Sequence, residues 1–232
     1  MPTRKDVFPT AQDINITSQS VEKLLHALNP HKAAGPDDIK PRILKELSSE
    51  IDHILTTICR KSYKTGIIPD VWSKANVTPV YKKGQKYVAA NYRPISLTFV
   101  CCKIMEHIIT SHITKHTEEH NIPYPLQHGF RKGRSCETQL LEFVDDITTN
   151  MSQGKQTDVL VMDCSKAFDI VSHALLIHKL DYYGIRGKTN RWNQAFLHNR
   201  SQTVEGERYD IAKVESGFPK DQSLNLAYSC ST

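Results

Sequence analysis

The run Asp158-Val159-Leu160-Val161-Met162, with Asp163 directly after it, restricts the fold more than any other stretch of this chain. Val159 to Met162 is short, apolar and β-prone, so it needs to leave water, and it ends on a charge that does not. A strand in a sheet meets both demands. Val159 and Val161 then face one way, Leu160 and Met162 the other. Asp163 arrives at the C-terminal end, where a carboxylate either caps the next turn or holds a divalent cation in a cleft. Phe168 follows five residues later and can wall such a pocket.

At 232 residues, 39% apolar and 24% charged, the chain is long enough for a real core. No apolar run reaches the length of a membrane span, and the polar N-terminus lacks a signal-peptide core. The net charge of +5 permits a polyanionic partner without demanding one. Six cysteines show no C-x-x-C pairing and read as reduced thiols of an intracellular protein.

Periodicity predicts a mixed α/β chain. The residues before Ser18 form a flexible lead-in. Ser18 to Ser20 cap a helix with Val21, Leu24, Leu25 and Leu28 on one face, stopped at Asn29-Pro30. Residues 33–38 form a turn. Helices are expected over 41–47 and 50–64, the second with Ile51, Ile54, Leu55 and Ile58 inward. Val71 to Tyr81 is extended, with Pro79 at an edge or end. Leu97 to His120 and Ser135 to Met151 are long helices, and Leu140, Leu141, Val144 and Ile147 give the second its period. His173 to Tyr183 is a helix closed by Gly184, and a hairpin surrounds Gly206.

Two stretches can meet phosphate. Lys82-Lys83-Gly84-Gln85-Lys86, just before Asn91-Tyr92-Arg93-Pro94, offers point charges and a bidentate fork for a triphosphate, or is a solvated basic loop. Gln127-His128-Gly129-Phe130-Arg131-Lys132-Gly133-Arg134-Ser135 places cations and glycines before a helix, or is an ordinary loop and cap.

Taken with Lys32-Ala33-Ala34-Gly35-Pro36-Asp37-Asp38-Ile39, Trp72-Ser73-Lys74-Ala75, Asp163-Cys164-Ser165-Lys166-Ala167-Phe168-Asp169 and Ser216-Gly217-Phe218-Pro219, these segments stand in one order. In that order they resemble the reverse transcriptases of non-LTR, LINE-like (jockey/CR1-type) retrotransposons. The resemblance implies the fingers and an incomplete palm of a right-hand polymerase. It divides the chain into a lead-in at 1–17, a fingers-like region at 18–134, a partial palm at 135–219 and a divergent tail at 220–232. It implies RNA-directed DNA polymerisation with an RNA template, a DNA primer, dNTPs and two Mg²⁺ ions, and no membrane. Asp163 matches the first catalytic aspartate and, with the backbone carbonyl of Cys164, a metal ligand. Lys82 or Lys83 and Arg93 match the triphosphate-holding residues, Phe168 the gate against a ribose 2′-OH, and Gly217 the nucleotide pocket. Lys32 and Gly35 in the 32–39 turn, and Gln127, Arg131, Lys132 and Arg134, match template contacts.

The chain also departs from that pattern. After Gly217 it reads Phe218-Pro219-Lys220-Asp221, and no aromatic-x-Asp-Asp hairpin follows. One aspartate cannot hold two cations about 4 Å apart. A truncated, inactive copy is therefore expected, from a frameshift, a mis-joined exon or decay; the alternative is a non-catalytic RNA-binding remnant. Phe143-Val144-Asp145-Asp146 has the right letters but sits on a predicted helix, where neighbours point about 100° apart. His116-Thr117-Glu118-Glu119-His120 fits a metallopeptidase pattern without an evident third ligand, and is disfavoured. Cys101 and Cys102 read as buried small hydrophobes.

Overall fold

A computed structural model describes residues 8–163, 170–204 and 211–214. Among them are seven helices and a four-stranded sheet of order β2-β1-β3-β4, the mixed α/β class expected.

Helix α1 (Ser18–His26) opens on Thr17 rather than on the serines after it. Thr17 and Ser20 form a capping box: the Thr17 Oγ1 accepts from the Ser20 N–H and the Ser20 Oγ from the Thr17 N–H, both at 3.2 Å. Helix α2 (Pro41–Glu46) begins on a proline, whose missing N–H is unneeded in a first turn. Helix α3 (Ser48–Thr65) ends at Gly66, which takes a left-handed φ of 71°. Its inward face differs from the expected one: Leu55, Cys59, Ser62 and Tyr63 are buried, while Ile54 and Ile58 are exposed. Hydroxyl chemistry turns it. Tyr63 OH lies 2.9 Å from Thr189 Oγ1 and accepts the Ile14 N–H, and Ser62 Oγ donates to Ile67 O at 2.8 Å.

Strand β1 (Lys74–Tyr81) follows a short 3₁₀ turn at Asp70–Ser73 that the sequence reading had as extended chain. It pairs antiparallel with β2 (Tyr92–Thr98), from Ala75 opposite Thr98 to Tyr81 opposite Tyr92. On its other side β3 (Arg200–Val204) runs parallel, Lys74 beside Ser201 to Val77 beside Val204. Strand β4 (Ile211–Val214) closes the hairpin expected around Gly206, itself outside the described residues. Pro79 lies past Val77, where pairing to β3 has stopped, so its missing donor breaks no bond on that side.

Helix α4 (Val100–Glu119) starts three residues later than expected, because residues 92–98 are strand. Helices α5 (Cys136–Ser152) and α6 (His173–Tyr182) lie where periodicity placed them. Helix α7 (Gly187–Leu197) went unread. Thr189, Trp192, Asn193, Phe196 and Leu197 keep the i, i+3, i+4, i+7, i+8 spacing of a buried face and are all buried, but two of the five are polar. Trp192 stacks on Phe196 with ring centroids 5.0 Å apart, and both join Met105, Ile109 and Ile113 of α4 and Val21 and Leu25 of α1 in one core.

Where the sequence reading has residues 1–17 as a flexible lead-in, residues 8–17 lie along this core: Ile16 is buried, Phe8 meets the rings of Tyr182 and Tyr183, and the Ala11 N–H donates to Gly184 O at 2.9 Å.

The strand expected at Asp158 to Met162 does not form. Residues 155–163 have no regular secondary structure, and Leu160, Val161 and Met162 are more than 80% exposed. A strand needs a neighbour for its N–H and C=O groups. Both flanks of β1 are taken by β2 and β3, and no described strand pairs with 158–162.

Candidate nucleic-acid interface

Two basic features stand on rigid supports. The first is the tip of the β1–β2 hairpin. The ladder continues past Tyr81 with the Lys82 N–H on Asn91 O at 2.8 Å. Tyr81 and Tyr92 meet edge to face at 5.7 Å, Lys86 Nζ lies 5.9 Å from the Tyr81 ring centroid, and Tyr92 OH donates to Lys86 O at 2.7 Å. Gly84 takes a φ of 93°, and a Cβ there would stand 2.6 Å from the Asn91 amide nitrogen. Lys82, Lys83, Lys86 and Arg93 are all exposed on this braced turn, and Arg93 sits opposite Val80 in the ladder.

The second is the loop 127–135 between α4 and α5. Arg131 is bound to α4: its Nε and Nη2 donate to the two carboxylate oxygens of Glu118 at 3.2 and 3.0 Å, and its Nη1 to Tyr124 O at 3.2 Å. Lys132 is exposed. Gln127 donates to Gly129 O at 3.2 Å. Arg134, His128, Thr138 and Glu142 form one network at the start of α5. The hairpin base and this loop lie at opposite ends of α4, about 27 Å apart by helical rise.

Gly35 is buried for a packing reason. A Cβ would meet Thr98 O at 2.6 Å and Phe99 Cα at 3.0 Å, so only glycine lets the 33–38 turn rest on the end of β2. Lys32 is exposed at the rim of a cavity of about 370 Å³ lined by Leu24, Leu28, Val100 and Ile104.

Asp163 is exposed at the end of an unpaired segment, not at the C-terminal end of a sheet strand. Cys164, Phe168 and Gly217 lie outside the described residues. No cluster of three metal-ligating side chains exists among the described residues, and one carboxylate by itself does not hold two cations. Asp145 and Asp146 are exposed on α5, as their helical setting required.

His116 and His120 do not make a metal site. His116 is buried with its Nε2 2.8 Å from Tyr183 O, its ring 4.3 Å from that of His120, and His120 Nδ1 is 2.8 Å from His116 O. Burial lowers the pKa of His116, so the ring is kept neutral as a wedge beneath the Gly184 turn. Cys102 is fully buried and Cys101 partly so. No helix among the described residues is long and apolar enough to cross a membrane.

The sequence pattern of the family described as reverse transcriptase (RNA-dependent DNA polymerase) matches residues 80–220, more than half of the chain and inclusive of both basic features. The chain belongs to that family. Reverse transcriptases act on nucleic-acid templates with nucleotide substrates and divalent cations. This chain is 26% identical, over 97% of its length, to the probable RNA-directed DNA polymerase from transposon BS of Drosophila melanogaster. It is 25% identical over 90% to the RNA-directed DNA polymerase from mobile element jockey of Drosophila funebris, and 30% identical over 86% to the probable enzyme from transposon X-element of Drosophila melanogaster. These likenesses bear out the non-LTR retrotransposon kinship of the motifs. This chain spans about a quarter of the length of these relatives.

Proposed function

We propose that these residues form the nucleotide- and template-holding part of an RNA-directed DNA polymerase. The exposed, braced and cationic β1–β2 tip within the matched region is the observation that carries this reading. Lys82 or Lys83 and Arg93 grip the triphosphate of an incoming dNTP. The 32–39 turn with Lys32 and Gly35, and the loop with Gln127, Lys132 and Arg134, follow the RNA template, while Arg131 anchors that loop to α4. In a complete active site Asp163 and the Cys164 carbonyl would hold Mg²⁺, which would neutralise phosphate charge, Phe168 would exclude a ribose 2′-OH, and Gly217 would shape the nucleotide pocket.

A second reading, favoured by the solvent position of Asp163, is that these 232 residues bind RNA without polymerising. Phosphate contacts release counterions, so binding should weaken steeply with salt. Filter binding of single-stranded RNA across a salt series, beside primer extension on poly(A)/oligo(dT) with Mg²⁺ or Mn²⁺, tests both. Salt-dependent binding without extension supports the second reading. Extension abolished by Asp163→Ala supports polymerisation by these residues alone, and absence of binding at low salt refutes both.

A further inference from the structure

His128 is the most buried side chain of the basic loop, and both its ring nitrogens have polar partners. Nδ1 lies 2.9 Å from Thr138 Oγ1. The Thr138 hydroxyl hydrogen already goes to Ser135 O at 2.9 Å, so its oxygen is an acceptor and Nδ1 carries the proton. Nε2 is then bare. It faces Arg134 Nη1 at 3.0 Å, and it also faces Glu142 Oε2 at 2.9 Å. Two lone pairs that close repel unless a donor lies between their groups. Arg134 Nη1 supplies it, with one hydrogen toward His128 Nε2 and one toward Glu142 Oε1 at 3.1 Å.

One terminal nitrogen of Arg134 is thus held from two sides. The Nε–Nη2 edge, the face of guanidinium that binds a phosphate with two parallel hydrogen bonds, is used by neither of these bonds, on a side chain 30% exposed. Arg131 is the reverse case, with that same edge closed by Glu118.

We propose that His128 is a positioning residue: with Glu142, it fixes Arg134 so that the open edge of the guanidinium clamps one backbone phosphate of a single-stranded RNA template. The inference rests on the RNA-holding function argued above and names how one arginine performs it.

The test uses the whole chain and a fluorescent single-stranded oligo(A) RNA, with affinity measured across a salt series. Arg134→Ala should weaken binding about five- to tenfold and lower the salt slope by about 0.7, the loss of one single-strand phosphate contact. His128→Gln places an amide oxygen near the Nε2 position and should bind as the unmodified chain does. His128→Asn reaches only the Nδ1 position; it should behave as Arg134→Ala does, and the double variant His128→Asn with Arg134→Ala should be no worse than either single one. Thermal unfolding of each variant establishes that it is folded. Equal behaviour of the two amides, both binding normally or both failing, overturns the proposal. So does an unchanged salt slope in Arg134→Ala. If the unmodified chain binds no RNA, the function argued above fails instead, and the positioning role falls with it.

Discussion

Trp192 Nε1 donates to Ser62 Oγ at 3.1 Å, a buried bond between residues 130 positions apart. It ties α7 to α3 across the described fold. Trp192→Phe keeps most of the stack on Phe196 but loses the donor, and should cost about 1–2 kcal/mol. Trp192→Ala also opens a cavity and should cost about 3–5 kcal/mol. Urea unfolding followed by circular dichroism measures both, and equal costs for the two variants would show that the hydrogen bond and not the packing dominates.

Gly35→Ala should destabilise by about 1–3 kcal/mol, because the new methyl meets backbone at Thr98 and Phe99 rather than a side chain that can turn away. The 33–38 turn would lift from β2, so RNA affinity should fall along with the unfolding midpoint. A variant with normal stability and lost affinity would instead make Gly35 a direct contact.

The buried thiols should resist alkylation. Burial pushes the Cys59 thiol up to about 12 and that of Cys101 up to about 11, and raises Cys102 well above its ordinary range. A raised thiol pKa favours the neutral form in the fold. Its contribution to stability is fully present below about pH 9, where the unfolded thiol is also protonated, and is lost as pH rises toward 11 and 12. Among the described cysteines, Cys136 is exposed and should react first with iodoacetamide near neutral pH, read by mass spectrometry. Fast labelling of Cys59 under those conditions would contradict the burial. Thermal midpoints should fall between about pH 9 and pH 12.

Asp145 and Asp146 have the letters of a catalytic pair and the setting of a solvated helix face. Asp145→Asn and Asp146→Asn should each shift stability by less than about 0.5 kcal/mol. RNA affinity should hold or rise slightly as negative charge is removed. A marked loss of binding in either variant would place these aspartates at the interface.

Much of the fold was legible from spacing. Spacing marked α1 to α6, with Asn29-Pro30 placed after the first and Gly184 after the last. The family was legible from its motifs in order. Helix α7 escaped because Thr189 and Asn193 occupy core positions, and polar residues there carry no apolar signal. The inward face of α3 escaped for the same reason, since Ser62 and Tyr63 are buried by partners on α7 and in the segment before α1. In the interface the cations were legible, but their roles were not. Arg131 and Arg134 look alike in sequence; Glu118 closes the binding edge of one, and His128 with Glu142 leaves the other's open.

Local pattern was enough for most of what a segment does with its own neighbours: helix periodicity, the cap at the start of α5, and the turn at Lys82 to Lys86. It was not enough for Asp158 to Met162. That run has the composition of a buried strand, yet it stands in solvent because a strand satisfies its backbone only through a partner. Partnership is a property of the whole arrangement. Here the described sheet is built from β1 to β4 without 158–162, an outcome that no residue of 158–163 encodes, and Asp163 is exposed.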